Sequence, residues 1–428
     1  MEQNQGFEFI KEKIKERPFN KKKLFRKTIV TAAMAVIFGL IACFTFLVLE
    51  PVFSNWLHPQ DEISSIEIPA DTNEVLPGDM LVNEESVLEQ KEEVLNNLKN
   101  EMQLQVSDYQ QLYKNIYEMT KKLQPAMVTV TGVTQDIDWF NDPYETKGQT
   151  TGFLFAQNNK ELLILVAQAE LKKKEELLIT FADGSQISGI IKGTDANSGM
   201  AVLAVNKEEV SKKTLEAIDF IVLGNSRTSG LLASPVIAMG KPLGNQASVV
   251  YGMITSKDTV LSMTDGNFKL LTTDIYGSTD ATGILVDFSG HVVGIIYQNS
   301  NSKTAGNLIS AIGITELKPV LERMSNGIEN SYLGIKGTDV PEEIQTSLNV
   351  PKGAYVTGIV MDSPAMAAGI QSGDVLTNIG DIEIKTFSDF TKAISSFPVG
   401  EQVEIHLMRQ RQQEYRSVKL RVTVKLLK

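Results

Sequence analysis

The amino-acid sequence predicts a mainly β protein, in which two small β-barrels and a compact α+β module follow a transmembrane helix and a coiled-coil helix. Three observations predict this arrangement. An uncharged segment of 22 residues lies near the N-terminus, and a seven-residue hydrophobic repeat follows it. From about residue 125 onwards, short segments rich in Val, Ile, Thr and Phe alternate with turn residues.

The composition argues against several classes of site. Hydrophobic residues make up 42% and charged residues 22% of the 428 residues, which is typical of globular domains. One cysteine excludes an intramolecular disulfide framework, and three histidines leave little for a histidine-built metal centre. We therefore predict no metal and no cofactor. The net charge of −11 argues against nucleic acid as a partner, because phosphate binding needs a basic surface.

The N-terminal residues predict attachment to a membrane. Residues 1–27 form a basic tail, and residues 28–49 carry no charge. At about 1.5 Å per residue, a helix of this length spans the roughly 30 Å hydrocarbon core of a bilayer. No small-residue cleavage site follows, so we expect a retained single-pass anchor in the cell membrane. The basic flank places the N-terminus in the cytoplasm and the bulk of the chain outside, and the lack of cysteines there is typical of a bacterial protein.

A linker at residues 50–83 precedes a predicted coiled-coil helix at residues 84–123. One heptad position is hydrophobic six times in succession: Leu88, Leu95, Met102, Tyr109, Ile116 and Leu123. The companion position is weaker because it includes Lys91 and Gln105. Two interpretations stay open, an oligomerising stalk and an amphipathic helix packed on the chain's own globular part.

The remaining residues divide into a β-rich region and a smaller last domain. Residues 124–318 hold segments such as AMVTVTG, ELLILVA and SPVIAMG between Gly, Asn and Asp turns, which suits two small barrels. A helix-like segment near residues 315–324 and a linker at 319–329 lead to the last domain, residues 330–428. There, short strands surround two helix-sized patterns, AMAAGI and FSDFTKAISSF.

The last domain resembles a PDZ domain. The stretch SPAMAAGIQSGDVL, residues 363–376, is similar to a long motif of that family. Tyr332, Leu333, Gly334 and Ile335 stand where the family has its carboxylate-binding loop, so the resemblance assigns peptide binding to them. Backbone N–H groups beside a strand edge receive a peptide C-terminus, and the peptide pairs as an added strand.

Together with the preceding segments, this domain makes residues 116–428 resemble the HtrA/DegP-like branch of the trypsin-like serine proteases. Further markers are FADG at residues 181–184, AMGKPLG at 238–244 and SGHVVGI at 289–295. The resemblance implies a chymotrypsin/trypsin-like double β-barrel followed by the PDZ domain. It also implies a homo-oligomer, which in this family is a trimer.

Active members of that family need a serine nucleophile, a histidine base and an aspartate that orients the base. Aligned on the neighbouring motifs, the histidine position holds Ala169 and the aspartate position holds Gly199. The nucleophile position holds Ala281 when it is anchored on the following strand, and Thr282 when it is anchored on the preceding segment. We therefore predict a degenerate triad without catalytic residues, with Thr282 as an alternative nucleophile.

The positions of the histidines support this prediction independently of the alignment. Between residues 124 and 330 the sequence has one histidine, His291, about ten residues past the nucleophile loop. A lysine base paired with Thr282 or Ser278 is the remaining catalytic arrangement. Lys172, Lys241 and Lys269 are available in the sequence for that role.

These inferences predict a membrane-anchored HtrA-like pseudoprotease that acts as a scaffold or protein quality-control factor. Its expected partners are peptides or C-termini of envelope proteins, further copies of the chain and an active protease paralogue. One alternative is an active serine-type endopeptidase that degrades misfolded proteins with a non-standard nucleophile. Another is a purely structural coiled-coil scaffold of the envelope.

Overall fold

The computed structural model describes residues 34, 63–71, 106–137, 143–171, 176–298, 307–412 and 414–427. Two units, Met1–Ile63 and Ser64–Lys428, are each compact, and only Met34 and Ile63 of the first are described. Within the described ranges, no helix is both long and apolar enough to cross a membrane. The predicted span at residues 28–49 lies outside those ranges except for Met34. Of the predicted coiled coil at residues 84–123, residues 84–105 lie outside them.

Helix α1 (Val106–Leu123) is the described end of the predicted coiled-coil helix. Ile116 is buried against the core between the two barrels, and Met119 and Leu123 pack beside it. The last turns of α1 therefore pack on the chain's own globular part, as the second interpretation of the repeat expects. The other side of the helix exposes Tyr109, Leu112, Tyr113 and Tyr117.

The first barrel begins directly after α1 and is closed by six strands in the order β1-β2-β3-β6-β5-β4. They are β1 (Met127–Ile137), β2 (Pro143–Gln157), β3 (Glu161–Ala167), β4 (Glu176–Thr180), β5 (Gln186–Asp195) and β6 (Met200–Asn206). Strand β3 is apolar from Leu162 to Ala167 because its two faces meet two cores. Leu162 and Ile164 fill the first barrel, whereas Leu163 and Leu165 face the layer between the barrels.

A short helix, α2 (Lys212–Ala217), and strand β7 (Val222–Leu223) lead into the second barrel. Its strands are β8 (Pro235–Lys241), β9 (Ser248–Met263), β10 (Gly266–Tyr276), β11 (Thr282–Asp287), β12 (His291–Ile296) and β13 (Leu308–Gly313). These strands follow the order β11-β8-β9-β10-β13-β12, and the pairing of β11 with β12 closes the barrel. Strand β7 pairs with β12 in parallel. The predicted mainly β, double-barrel fold is confirmed.

Helix α3 (Ile314–Ser325) follows the second barrel, where the sequence predicts a helix, and it extends into the predicted linker at residues 319–329. It buries Leu317, Leu321 and Met324 in the layer between the barrels. Residues 64–71, from the predicted linker before the coiled coil, lie along this helix without regular secondary structure. The Asn326 side chain pairs with the backbone N–H and C=O of Ile66, both at 3.0 Å.

The last domain is an α+β module with a sheet in the order β15-β16-β17-β19-β20. Its strands are β14 (Ser331–Tyr332), β15 (Ile335–Asp339), β16 (Ala354–Ile359), β17 (Val375–Ile379), β18 (Ile382–Glu383), β19 (Gln402–Arg411), β20 (Glu414–Thr423) and β21 (Lys425–Leu426). Its helices are α4 (Glu342–Ser347), α5 (Pro364–Ala368) and α6 (Phe387–Ser395). Phe387 and Phe390 of α6 fill the domain's core.

The motif at residues 363–376 contains the residues that begin and end helix α5. Ser363 caps α5 by accepting a hydrogen bond from the Met366 N–H at 3.2 Å, and Pro364 takes the first helical position. Gly369 ends the helix in the left-handed conformation, with φ of 84°. This arrangement sets α5 beside the loop that leads into β15.

Candidate functional site

A cavity lies between the two barrels, where the resemblance places the catalytic cleft. Its lining is hydroxyl-bearing, glycine or apolar: Thr151, Phe153, Leu165, Val166, Ala167, Ser198, Gly199, Met200, Thr282, Gly283, Ile284, Ile295 and Ile296. No residue in this lining carries a side chain that can act as a general base near neutral pH. The lining therefore offers hydroxyl groups and apolar surface, and no side chain that can remove a proton from a hydroxyl group.

The position predicted for the histidine lies in a 3-10 turn, Gln168–Leu171, directly after β3. Ala169 is exposed there and offers only a methyl group. The Gln168 N–H donates to the carbonyl oxygen of Gly199 at 2.8 Å. The structure thus brings the predicted histidine and aspartate positions together through their backbone.

Gly199, at the position predicted for the aspartate, ends a tight turn that begins at Asp195. Its φ of 68° is left-handed, so an aspartate there would be strained even though the space beside it is open. The buried Asp195 carboxylate accepts hydrogen bonds from the Ser198 N–H at 2.8 Å and from the Asn330 side chain at 3.2 Å. Asp195 therefore holds the turn together and does not face a base.

The two candidate nucleophile positions face opposite ways. Ala281 is only 3% exposed and belongs to the core of the second barrel. Its N–H donates to the Ser278 carbonyl oxygen at 3.1 Å and closes a turn. Thr282 lines the cavity instead. Of the two anchorings of the alignment, the one that selects Thr282 gives the side chain that faces the cleft.

Lys241 is the amine that lies nearest to Thr282 in the sheet, since the two residues are register partners on β8 and β11. Its ammonium lies 3.0 Å from the Asp280 carboxylate, and the Ser278 hydroxyl donates to the same carboxylate. The Ser278 hydrogen bond and then Lys241 hold the pKa of Asp280 below its ordinary value. The Lys241 ammonium is used in this ion pair, and an ammonium group has no lone pair with which to accept a proton.

The other candidate bases lie elsewhere. His291 is exposed, with its ring 3.7 Å from Asp287, at the far end of β11 from Thr282, or roughly 16 Å along the strand. His406 pairs with Glu404 at 2.7 Å on β19 of the last domain. Lys269 is exposed on β10, while His58 and Lys172 lie outside the described residues. Within the described ranges, no group of three His, Cys, Asp or Glu side chains is placed to hold a metal ion.

The second candidate site is the loop Tyr332–Ile335 that enters β15. Gly334 has a φ of 89°, and a Cβ there would lie 2.2 Å from the Cβ of Ser363, so glycine is required. The backbone N–H groups of Leu333, Gly334 and Ile335 converge on one point, as a carboxylate-binding loop needs. Three of the four predicted peptide-binding residues therefore contribute donors, and Tyr332 begins the loop.

The carboxylate at that point comes from the chain itself. Asp265, in the two-residue turn between β9 and β10, accepts from the N–H groups of Leu333 at 2.7 Å, Gly334 at 2.8 Å and Ile335 at 2.8 Å. Burial raises the pKa of Asp265 to about 6, against the lowering effect of these three donors. Sequence reasoning missed Asp265, because a Thr-Asp-Gly hairpin turn carries no mark of a contact with another domain.

The comparisons with known proteins agree with both parts of this architecture. Residues 150–295 match the family profile of the trypsin-like peptidase domain, and residues 331–422 match that of the PDZ domain. Serine protease Do-like HtrA of Bacillus subtilis is 25% identical over 332 residues, covering 71% of this chain and 72% of the relative. Serine protease Do-like HtrB of the same organism is 25% identical over 323 residues, covering 69% and 68%.

A solved structure, the HtrA-type protease AlgW with tripeptide, has the same fold. It aligns with a TM-score of 0.51 and 19% identity, over 74% of this chain and 97% of the other. The order of a double barrel and a PDZ domain, the matched family profiles and these relatives lead to one conclusion. The chain belongs to the HtrA/DegP-like family of trypsin-like serine proteases with a C-terminal PDZ domain.

Proposed function

We propose that the chain is a membrane-anchored HtrA-like pseudoprotease that binds peptide segments or C-termini of envelope proteins through its PDZ domain. The observation that carries the first part is the cleft, whose lining holds hydroxyl groups and no base. A hydroxyl is a weak nucleophile unless an adjacent base removes its proton. Residues 169, 199 and 281 supply no such group, since they are Ala, Gly and Ala.

The proposal also covers location and assembly. The basic tail and uncharged segment at residues 1–49 support a single-pass anchor with the bulk of the chain outside the cell membrane. The exposed tyrosines of α1 support self-association, for which the family suggests a trimer, or mixed assembly with an active paralogue. In either state the chain acts as a scaffold or quality-control factor that recognises envelope proteins.

One observation favours an active protease instead. Thr282 faces the cleft, and Lys241 is its register partner, so a threonine–lysine dyad requires that Lys241 leave Asp280, lose a proton and reach the Thr282 hydroxyl. A fluorophosphonate probe separates the two functions, because it labels activated hydroxyl nucleophiles covalently. We expect no labelling of the full chain beside an active HtrA-like protease that labels fully. Labelling that Thr282→Ala abolishes would overturn the pseudoprotease proposal.

The peptide-binding part has its own test. Fluorescein-labelled decapeptides of random sequence, with a free C-terminal carboxyl group, are titrated into the detergent-solubilised full chain and followed by fluorescence polarisation. The same pool with amidated C-termini is the control, since an amide lacks the charge that the loop of N–H donors recognises. Binding of the acid pool and at least tenfold weaker binding of the amidated pool is the expected result. Equal binding of the two pools would contradict recognition of C-termini by this loop.

A further inference from the structure

We propose that the turn between β9 and β10 is a built-in ligand of the PDZ loop, with the Asp265 side chain in the place of a peptide's C-terminal carboxylate. This inference rests on the proposed peptide binding and deepens it. A peptide C-terminus does not meet an open groove but has to displace a hairpin of the trypsin-like domain. The ligand that the loop selects is thus a carboxylate that competes with Asp265.

The first support is the geometry of the carboxylate. Both oxygens of Asp265 are used: Oδ2 accepts from Leu333 and Gly334, at 2.7 and 2.8 Å, and Oδ1 accepts from Ile335 at 2.8 Å. Asp265 is only 6% exposed. Burial of a carboxylate is costly unless hydrogen bonds replace its hydration, and here three backbone donors do so.

The second support is a pair of hydrogen bonds from the hairpin to β15, one from the backbone of Asp265 and one from the side chain of Asn267. The Asp265 N–H donates to the carbonyl oxygen of Ile335 at 2.7 Å. The side-chain amide of Asn267 donates to the carbonyl oxygen of Gly337 at 3.0 Å. These two carbonyls are two residues apart on β15, which is an edge strand of its sheet. A bound peptide would use the same edge.

The third support is the opposite wall of the groove, which α6 forms. Gly266 follows Asp265 and is buried, and a Cβ placed on it would lie 3.7 Å from the Thr391 side chain of α6. The hairpin tip therefore touches both β15 and α6, the two elements between which a PDZ ligand lies. A peptide and the hairpin tip cannot occupy this space together.

The conformation of Asp265 is the fourth support. Its φ of 58° lies in the left-handed region, which most residues other than glycine, asparagine and aspartate avoid. Asparagine, aspartate and glycine all suit such turn positions, so the turn alone does not select aspartate. An aspartate here keeps the turn and adds the one group that the three N–H donors require.

The same turn is held by the first barrel. The Asn197 side chain donates to the carbonyl oxygen of Thr264 at 2.8 Å, and Asn197 belongs to the turn that ends at Gly199. Displacement of the hairpin tip by a peptide would therefore break a contact at the edge of the degenerate cleft. Occupation of the PDZ loop is in this way linked to the trypsin-like domain.

While the hairpin tip occupies the groove, a peptide cannot bind. The apparent affinity for a peptide is therefore the intrinsic affinity multiplied by the fraction of chains in which the groove is open. Two variants release the hairpin without disturbing its turn, because Asp265→Asn and Asp265→Gly both suit a left-handed φ. Asp265→Gly removes both acceptor oxygens, and Asp265→Asn replaces one of them by an amino group that cannot accept a hydrogen bond. Asp258→Asn is the matched control, because Asp258 is an exposed carboxylate on β9 of the same hairpin. The two Asp→Asn variants change the net charge equally.

Two measurements on the full chain test the inference. Hydrogen exchange followed by mass spectrometry reports the amides of residues 333–335 without any peptide. We expect slow exchange in the unchanged chain and in Asp258→Asn, and at least tenfold faster exchange in both Asp265 variants. Polarisation with the acid decapeptide pool should show at least tenfold tighter binding to the Asp265 variants than to Asp258→Asn.

The outcomes separate the inference from the proposed function. Fast exchange of residues 333–335 in the unchanged chain would overturn the inference, whatever the variants do. Measurable peptide binding of equal affinity in all four proteins would also overturn it and would leave peptide binding intact. Slow exchange that the Asp265 variants release, without binding of either peptide pool, would support the internal ligand and overturn the proposed peptide binding.

Discussion

Ala281 and Thr282 are neighbours in the chain, yet Ala281 is buried in the core of the second barrel and Thr282 lines the cleft between the barrels. The alternation of side chains where β11 begins separates them. A hydroxyl at position 281 would therefore point into an apolar core. The hydroxyl that faces the cleft belongs to Thr282, and its register partner Lys241 is paired with Asp280.

This relationship predicts a large loss of stability for one single change and a small effect for another. Ala281→Ser places a hydroxyl among apolar side chains and should lower the free energy of unfolding by roughly 1–3 kcal/mol. Thr282→Ser keeps a hydroxyl at the cleft and should change it by less than about 1 kcal/mol. The midpoints of thermal unfolding of the two variants provide the comparison. Equal midpoints would mean that position 281 is not part of the core.

We predict that Asp374, which lies in the PDZ motif at residues 363–376, stabilises the folded PDZ domain. Asp374 is 1% exposed, and the Arg409 guanidinium grips it through Nε and Nη2, both at 2.7 Å. Asp374→Ala leaves Arg409 with the Gly369 carbonyl oxygen but without its counter-ion, and should destabilise the PDZ domain by about 3 kcal/mol. Differential scanning calorimetry measures the effect. Asp381→Ala, at an exposed turn of the same domain, is the control and should leave the midpoint unchanged.

The docked hairpin should respond to pH. The pKa of Asp265 is about 6 when docked and near its ordinary 3.8 when released, so the docked state binds a proton more tightly. Docking is therefore strongest at low pH and weakens as the pH rises towards and through 6. Tyr332 is the titratable neighbour of Asp265. Burial, and to a smaller extent the Asp265 charge, raises the pKa of Tyr332, so its hydroxyl stays protonated in this range.

Peptide affinity should consequently rise about tenfold between pH 5 and pH 7.5, because the Asp265 side chain loses its proton over this range and docks in the PDZ loop less stably. Polarisation titrations with the acid decapeptide pool at a series of pH values test this prediction. Asp265→Asn should give a flat profile over the same range, because an amide does not titrate. A parallel rise in both proteins would assign the pH dependence to a different group.

Residues 64–71 are predicted to be fixed to α3 by a partly buried ion pair. The Lys318 ammonium lies 2.6 Å from the Asp71 carboxylate, and the Thr315 hydroxyl donates to the second oxygen of Asp71 at 2.5 Å. Asp71→Asn leaves the Lys318 charge largely buried without its counter-ion and should destabilise the trypsin-like domain by about 2–3 kcal/mol. Limited proteolysis should then cut near residue 71 sooner. Glu67→Gln, an exposed change in the same segment, should not alter the rate of cutting.

Much of the architecture follows from local patterns in the sequence. Apolar runs such as that of β3 predict strands, and the motif at residues 363–376 predicts a capped helix beside a ligand loop. The position of Thr282 in the cleft could not be decided, because the two anchorings differ by one residue and a one-residue shift turns a strand's side chain to the other face. Asp265 could not be predicted at all, since its partners Leu333, Gly334 and Ile335 lie about 70 residues away in another domain.

Proteolysis of unfolded casein tests the central claim most directly. The full chain in detergent is incubated with casein beside an active HtrA-like protease and the variant Thr282→Ala. A cleft without a base predicts no cleavage by the chain or by its variant under conditions in which the active protease degrades casein completely. Cleavage by the chain that Thr282→Ala abolishes would contradict the account, because Thr282 would then be an activated nucleophile.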